Sequence, residues 1–530
     1  MFRSLKLGAT LLVFILVATF GFQNCSQKPL ELNNLNQTGT NTGGSGGGGD
    51  GGGGVSTGLN AGQANYLIEE GRTLDINLTL SSPAEGNYTV SWEILPIDAG
   101  LFAANDFDIV TGGFSILADQ TGGSISLRAK ENAVVSVDKK YRLRITFSGS
   151  DQPLVLYLTF KDNDSAQVFA GHVHTCLLKS GSLKCFGANN AGQLGNGNVI
   201  NQSSPVPVSG MSVDVQKAAV GINNTCAIKS GQLYCWGNNS SGQLGKGDAT
   251  TLPTSAPSLV PTMDSGVTDV VVGYYTICAI KNGAVFCWGD GRYGTVGDGT
   301  FTRRLVPTAV TGLSSGVSAI AMSDTDAQVT AGVPGVGHAC AIKSGALYCW
   351  GYNPSGEIGD GTLTSKGVPT LASGMEADVS LVSAAQNSTC AVRKSNLYCW
   401  GANGQGQLGL GDVNTRYAPT LVSAFIGKKI SQIDGDELHY CANADGKVYC
   451  WGDNAGSQIG TGNTVDAISP AQLAGLDVGI SSIATSTYGS FAIQNNKLLG
   501  WGRNSEGQLG RGNVVTPQTA PQITFDLANF

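Results

Sequence analysis

Cys226-Ala-Ile-Lys-Ser-Gly-Gln-Leu-Tyr-Cys-Trp-Gly-Asn-Asn-Ser-Ser-Gly-Gln-Leu-Gly-Lys-Gly247 is the stretch that decides the fold. Its first ten residues read as a β-hairpin. A two-residue turn at Ser230-Gly231 sets Lys229 opposite Gln232, Ile228 opposite Leu233, Ala227 opposite Tyr234 and Cys226 opposite Cys235. Counting outward, the cysteines fall on a non-hydrogen-bonded rung, where Cα atoms lie about 4.5 Å apart, within disulfide range. Five more pairs share the nine-position spacing: Cys176 with Cys185, Cys278 with Cys287, Cys340 with Cys349, Cys390 with Cys399 and Cys441 with Cys450. Their loops centre on Ser180-Gly181, Asn282-Gly283, Ser344-Gly345, Lys394-Ser395 and Asp445-Gly446. Most of these are favoured two-residue hairpin turns. A seventh copy has Phe491 and Gly500 instead, around Asn495-Asn496, so both partners are missing together. Joint absence is what a covalent pair predicts, and the spacing matches no common zinc pattern.

The aromatic-Gly pair after each hairpin recurs at Phe186, Trp236, Trp288, Trp350, Trp400, Trp451 and Trp501, at intervals of 50, 52, 62, 50, 51 and 50 residues. A glycine-rich turn follows, beginning at Gly192, Gly242, Gly294, Gly356, Gly406 and Gly507. In the sixth repeat it reads Gly456–Gly462, with one residue extra. Pro205, Pro307, Pro369, Pro419 and Pro470 lie 19 residues past their aromatics, which suits an outer strand. Self-similarity at this period over 166–530, with room for four short strands per copy, predicts an all-β seven-bladed propeller. The Trp-Gly-x-Asn-x-x-Gly-Gln-Leu-Gly-x-Gly signature resembles the repeat of the regulator of chromosome condensation family. Well-known members of that family act on a nuclear GTPase and on chromatin, and one is a secreted bacterial inhibitor of β-lactamases.

The rest of the chain favours an exported protein. Residues 1–25 read as a secretory signal: Arg3 and Lys6, then the apolar run Leu7–Phe22, short for a membrane span. The run stops at Gln23-Asn24-Cys25-Ser26 and resembles a bacterial lipoprotein signal, which implies lipidation of Cys25 and an outer-membrane or cell-surface location. The alternative is simple secretion, or a periplasmic protein, with a free Cys25. Residues 26–61 are rich in Gly, Asn, Ser and Thr. As a flexible coil, a segment of this length reaches about 33 Å.

Residues 62–165 alternate at period two, through Leu74/Ile76/Leu78/Leu80, Tyr88/Val90/Trp92/Ile94, Ile125/Leu127, Tyr141/Leu143/Ile145/Phe147 and Leu154/Leu156/Leu158/Phe160. That pattern predicts a small antiparallel β-sandwich. Glu69-Glu70-Gly71, Asn105-Asp106-Phe107 and Asp162-Asn163-Asp164 resemble a Calx-β domain. The resemblance implies calcium on Glu69 or Glu70, Asp106, Asp162 and Asp164. The alternative is a spacer domain with solvated acidic loops.

A net charge of −7 argues against nucleic-acid binding, and an exported, acidic chain excludes the nuclear role. The low charge, 13 % of residues, and 41 % apolar content argue against general disorder. His174, His338 and His439 each precede the first cysteine of a repeat by two positions, a hydrogen-bonding register, and His172 stands apart. No Ser/His/Asp set or phosphate loop appears, so no catalytic residue and no cofactor beyond the calcium are assigned. The excess length before Trp350 falls in 323–337 and carries Asp324 and Asp326. Such an insertion, with Tyr274, Tyr275, Tyr293 and Tyr352 in inter-strand turns, supplies the candidate contacts. The expectation is a monomeric, non-catalytic scaffold for a protein or glycan partner, held to membrane only through its anchor. The alternatives are an inhibitor of a secreted enzyme and an envelope hydrolase.

Overall fold

In the computed structural model the described residues are 11–12, 65–69, 73–80, 88–96, 107, 111–117, 122–128, 139–148, 153–161, 166–323 and 337–530. Cys25 and residues 26–61 lie outside them. The chain divides into two compact units, the second running from Ser165 to Phe530.

The first unit contains two sheets. One places Leu11–Leu12, Thr73–Leu80 and Gly122–Arg128 side by side. The other orders Asn65–Glu69, Leu154–Lys161, Lys139–Phe147, Tyr88–Pro96 and Thr111–Ile116. The alternating residues Val90, Trp92, Ile94, Ile125, Leu127, Tyr141, Leu143, Ile145, Leu156 and Leu158 are buried, as a half-buried strand requires. One pairing departs from an antiparallel sandwich: Asn65–Glu69 runs parallel to Leu154–Lys161, because the entering strand joins the edge beside the last one rather than forming a hairpin.

The second unit is seven four-stranded sheets, each built from four strands consecutive in sequence. Blade two shows the plan: Val215–Val220 inside, then Asn224–Lys229, Gln232–Asn239 and the outer Thr250–Leu259. All seven central hairpins turn on two residues of positive φ, from Ser180 (46°) and Gly181 (72°) to Asn495 (49°) and Asn496 (60°). This type I′ geometry matches the strand twist and fixes the register. Cys226 therefore faces Cys235. In the same register Cys176 faces Cys185, Cys278 faces Cys287, Cys340 faces Cys349, Cys390 faces Cys399 and Cys441 faces Cys450.

All six expected pairs are bonded. The disulfides Cys176–Cys185, Cys226–Cys235, Cys278–Cys287, Cys340–Cys349, Cys390–Cys399 and Cys441–Cys450 close their rungs with Cα atoms 4.0–4.1 Å apart. That separation is tighter than the usual disulfide span because the pleat of a non-hydrogen-bonded rung draws opposed residues together. Every one of the twelve sulfurs belongs to a buried residue, so each bond is part of its blade's core.

The glycine-rich signature is the joint between blades. Each tryptophan indole donates to a carbonyl in the preceding blade's turn: Trp236 to Gln193, Trp288 to Gln243, Trp350 to Thr295, Trp400 to Glu357, Trp451 to Gln407 and Trp501 to Gln458, at 2.8–2.9 Å. The middle glycine makes room for that indole. A Cβ on Gly195, Gly297 or Gly359 would meet the ring nitrogen at 2.5–2.7 Å. The last glycine bonds outward instead, its N–H reaching the next blade's outer strand, as Gly197 to Ser255 and Gly361 to Tyr417. In the sixth repeat no residue is inserted in this turn. Ser457 takes the first glycine's place at φ 66°, and the extra residue lies in the connection containing the short 3₁₀ turn Ser423–Phe425. Gly359→Ala adds a methyl group against the Trp400 indole at φ +76°. It is expected to cost about 2–4 kcal/mol in chemical denaturation.

Blade seven closes on blade one without exchanging a strand. Gln167–Ala170 is the inner strand of blade one and Gln518–Asp526 the outer strand of blade seven. Gly512 N–H reaches Ser203 O at 2.7 Å, repeating the joint used elsewhere, and Val168 N–H reaches Ser482 Oγ at 3.2 Å. Lys179 and Lys184 Nζ donate to the carbonyls of Leu527 and Phe530. At this seam Phe491 packs with Phe186, whereas in the other six interfaces a disulfide packs with the next blade's tryptophan.

Candidate functional site

The propeller's two ends are built from different connections between the strands of each sheet. On the hairpin end, Lys229 and Lys343 Nζ and Arg393 Nε donate to the carbonyls of Gly210, Gly312 and Ala377 at 2.7–3.1 Å. These cations cap connecting turns. The other end carries the turns between inner and second strands and the loops after the tryptophans, and all four tyrosines singled out from sequence are found there.

Tyr274 and Tyr275 form the first of those turns in blade three, with ring centroids 4.0 Å apart. Tyr293 follows Trp288, Tyr352 follows Trp350, and their rings meet edge to face at 5.0 Å across the blade three–four joint. Arg292 sits within electrostatic reach of Tyr275 and Tyr293, its guanidinium held on Asp290 at 2.5–3.0 Å. Burial raises the Tyr352 hydroxyl pKa, and so does the neighbouring Glu357 charge. Glu357 occupies the glutamine position of the repeat, and burial pushes its carboxyl up to about 8. The result is a contiguous aromatic and guanidinium surface with half-buried rings, the composition that anchors interfaces.

Asp324 and Asp326 lie outside the described residues. The ends of their insertion are pinned, Ser323 N–H to His338 O at 3.0 Å and His338 N–H to Ser323 Oγ at 2.9 Å. Glu70, Asp106, Asp162 and Asp164 also lie outside, and of Glu69 only the backbone is placed. Among the described residues no group of three or more His, Cys, Asp or Glu is arranged to hold a metal ion.

The register histidines are interblade latches. Nε2 of His174, His338 and His439 pairs with Thr225, Thr389 and Ser490 of the next blade at 2.7–2.9 Å. Each of those hydroxyls donates back, to Gln193, Glu357 or Gln458 O, so it accepts from a protonated Nε2. Burial pushes all three imidazoles down to about 3. The unfolded chain then binds more protons below about pH 6.5, so their stabilising contribution is lost as pH falls towards 3. Glu357 and Asp434, raised by burial to about 8 and about 6, act oppositely: stability is lost as pH rises through those values. The melting temperature is therefore expected to peak at about pH 5–6 and to fall on both sides, by calorimetry across roughly pH 3.5–9.

One constellation was missed in the sequence. At the axial mouth of this same end, His172 Nδ1 meets Thr487 Oγ1 at 2.8 Å and Glu437 Oε1 at 3.9 Å, joining blades one, seven and six. Behind them, Asp434 accepts from Thr485 N–H and Oγ1 at 2.7 and 2.9 Å. Asp436 lies beside Asp434 and Thr487, and burial together with the Asp434 charge raises its carboxyl. The available signal was register: where blade six has Asp436, the others have Gly171, Gly221, Gly273, Ser323, Ala385 and Ser486.

Comparison with known proteins agrees with this architecture. A family model described as RCC1-like domain matches residues 148–436, and one for the regulator of chromosome condensation repeat matches 445–493. The Arabidopsis thaliana ultraviolet-B receptor UVR8 is 31 % identical over 201 residues, which are 38 % of this chain and 32 % of the receptor. The Homo sapiens E3 ubiquitin-protein ligase HERC2 is 29 % identical over 225 residues, 40 % of this chain and 4 % of the ligase. The chain thus spans a third or less of these two relatives' length. The solved structure of Prp20p from Saccharomyces cerevisiae, described with its binding properties to Gsp1p and histones, is 20 % identical. It covers 65 % of this chain and 86 % of its own, with a TM-score of 0.56.

Proposed function

The chain belongs to the RCC1-like family, whose propellers often serve as binding or regulatory scaffolds, and from that premise we propose that it is an exported, non-catalytic recognition protein of the bacterial cell envelope. Its partner is a protein or glycan, and the tyrosine–arginine surface of blades three and four is where contact begins. That surface carries the reading: Tyr274, Tyr275, Arg292, Tyr293 and Tyr352 come from three separate loops, yet form one aromatic and guanidinium patch at the loop end. Six buried disulfides support an oxidising compartment, in keeping with the signal-like residues 1–25. The tether would give the propeller reach from a lipid on Cys25.

Two measurements test this. Immobilised full-length chain should retain a saturable partner from envelope extract or culture medium. Tyr275→Ala/Tyr293→Ala/Tyr352→Ala should weaken retention at least about tenfold, since one hot-spot tyrosine among them costs about 2 kcal/mol or more when truncated. Unchanged retention removes the patch from the account. Metabolic labelling with a fatty acid should mark the wild type and not Cys25→Ala, which should also leave the membrane fraction; equal labelling or equal fractionation sinks the anchor.

A further inference from the structure

At the axial mouth two buried acceptor atoms lack a donor among the described residues, although Asp434 is satisfied by Thr485 and the Asp436 carboxyl already takes hydrogen bonds from Glu437 N–H and the Thr487 hydroxyl. Asp436 Oδ1 has no partner among the described residues, although Asp436 is only 7 % exposed. Gln386 Oε1, on blade five, also has none, and Gln386 is 4 % exposed. The two are neighbours through the backbone, Gln386 N–H donating to Glu437 O at 3.2 Å. Gln386 holds the same turn position as His172, Glu437 and Thr487, the side chains that meet at the axis. A buried acceptor left without a donor costs about 1–3 kcal/mol, so two together mark a place prepared for a donor.

The groups facing Asp436 say what kind of donor. Asp434 on its own strand is a second carboxyl, raised by burial, Thr487 from blade seven gives a hydroxyl, and Glu437 and His172 stand at the opening. His439, behind them, is held neutral by burial, and Tyr440, near Asp434, is protonated. No fixed cation from the described residues reaches the pair, and no metal-holding cluster exists among those residues. The opposite side of the mouth carries Ile222 of blade two and Tyr274 of blade three at the same turn position. An acidic wall facing an apolar one suits a side chain with a charged, donor-rich head and an aliphatic stem.

We propose that the axial mouth seats a lysine or arginine side chain of a protein partner, with Asp436 and Gln386 accepting from its head and Ile222 and Tyr274 flanking its stem. This rests on the recognition reading above and narrows the partner from protein or glycan to a protein with a protruding basic residue. Seating the cation requires an ionised Asp436, so binding releases a proton and strengthens with pH.

The test uses full-length protein and short probes rather than the partner, so its failure is separable from that of the recognition reading. Acetyl-Gly-Arg-Gly-amide and acetyl-Gly-Lys-Gly-amide are titrated by calorimetry in two buffers of different ionisation enthalpy, with the citrulline peptide and calcium chloride as further arms. The expected result is saturable binding of a basic peptide below about 10 mM, severalfold tighter at about pH 8 than at about pH 6, with proton release. Asp436→Asn and Gln386→Ala should each lose it while circular dichroism is unchanged, and Asp453→Asn, in the loop after Trp451 where Asp453 accepts from Ala455 N–H, should not. If Asp436→Asn unfolds the chain, Gln386→Ala and the proton release decide. No saturation with either basic peptide, equal binding of citrulline, or binding of calcium alone overturns the proposal.

Discussion

Reduction of the six disulfides is expected to unfold the propeller at about 37 °C. Each closes a hairpin of nine-residue separation. A loop of that size is worth about 2–3 kcal/mol in the chain-entropy model. Six together match or exceed the roughly 5–15 kcal/mol by which a domain is stable. The covalent term is also not isolated. Cys340 and Cys349 are fully buried in one cluster with Trp400, so opening the bond leaves two buried thiols where the next blade's indole expects a fixed surface. Cys278 and Cys287 stand in the same relation to Trp350, and Cys390 and Cys399 to Trp451. Burial keeps reductant out of the folded state, so reduction at low temperature should be slow and should follow unfolding. A thermal scan with and without phosphine reductant after brief exposure to urea checks this. An unchanged midpoint with all twelve hairpin thiols titratable would show that packing alone carries the fold.

The second large effect is expected at the interblade indoles. Trp400→Ala removes a fully buried ring, leaves the Glu357 carbonyl with only the Thr389 hydroxyl, and opens a cavity beside the Cys340–Cys349 bond. The expected cost is about 4–5 kcal/mol by urea denaturation. Trp400→Phe should cost much less, about 1–2 kcal/mol, because the protein already uses that arrangement once. At the blade seven–one seam Phe186 replaces the indole, Phe491 fills the place of the disulfide, and the Thr175 hydroxyl takes the Gln508 carbonyl at 3.0 Å. Gly500 completes the exchange, since a Cβ there would press on Phe491 and Leu509 at 3.2–3.3 Å. Equal losses for the Ala and Phe variants would contradict this reading of the joint.

The seam shows how far the sequence could be read. Cysteine register in each hairpin was legible because two-residue turns leave one choice of pairing, and blade number followed from the Trp-Gly period. The joint loss of Phe491 and Gly500 from the cysteine pattern was visible, but its partner was not. Phe186 lies far back in the first repeat, and only closure of the ring brings the two aromatics together. The tyrosines are legible as turn aromatics, yet turn position alone does not say that Tyr293 and Tyr352 touch across a joint. The axial residues escaped for a related reason. Within blade six, Ile430–Asp436 reads as an ordinary polar-apolar strand, and Asp436 looks anomalous only beside its six register mates. Burial then does the chemistry, turning a common aspartate into an acceptor deprived of water.

Face specificity is the most direct test of the central claim, that one end of the propeller recognises a partner without catalysis. Retention of a partner by the full-length chain should be measured for the loop-end variant Tyr275→Ala/Tyr293→Ala/Tyr352→Ala beside the hairpin-end variant Lys229→Ala/Lys343→Ala, with substrate turnover monitored in the same samples. Loss at the loop end alone, with retained material chemically unchanged, is the predicted result. Equal loss at both ends, or conversion of the retained molecule, would contradict it.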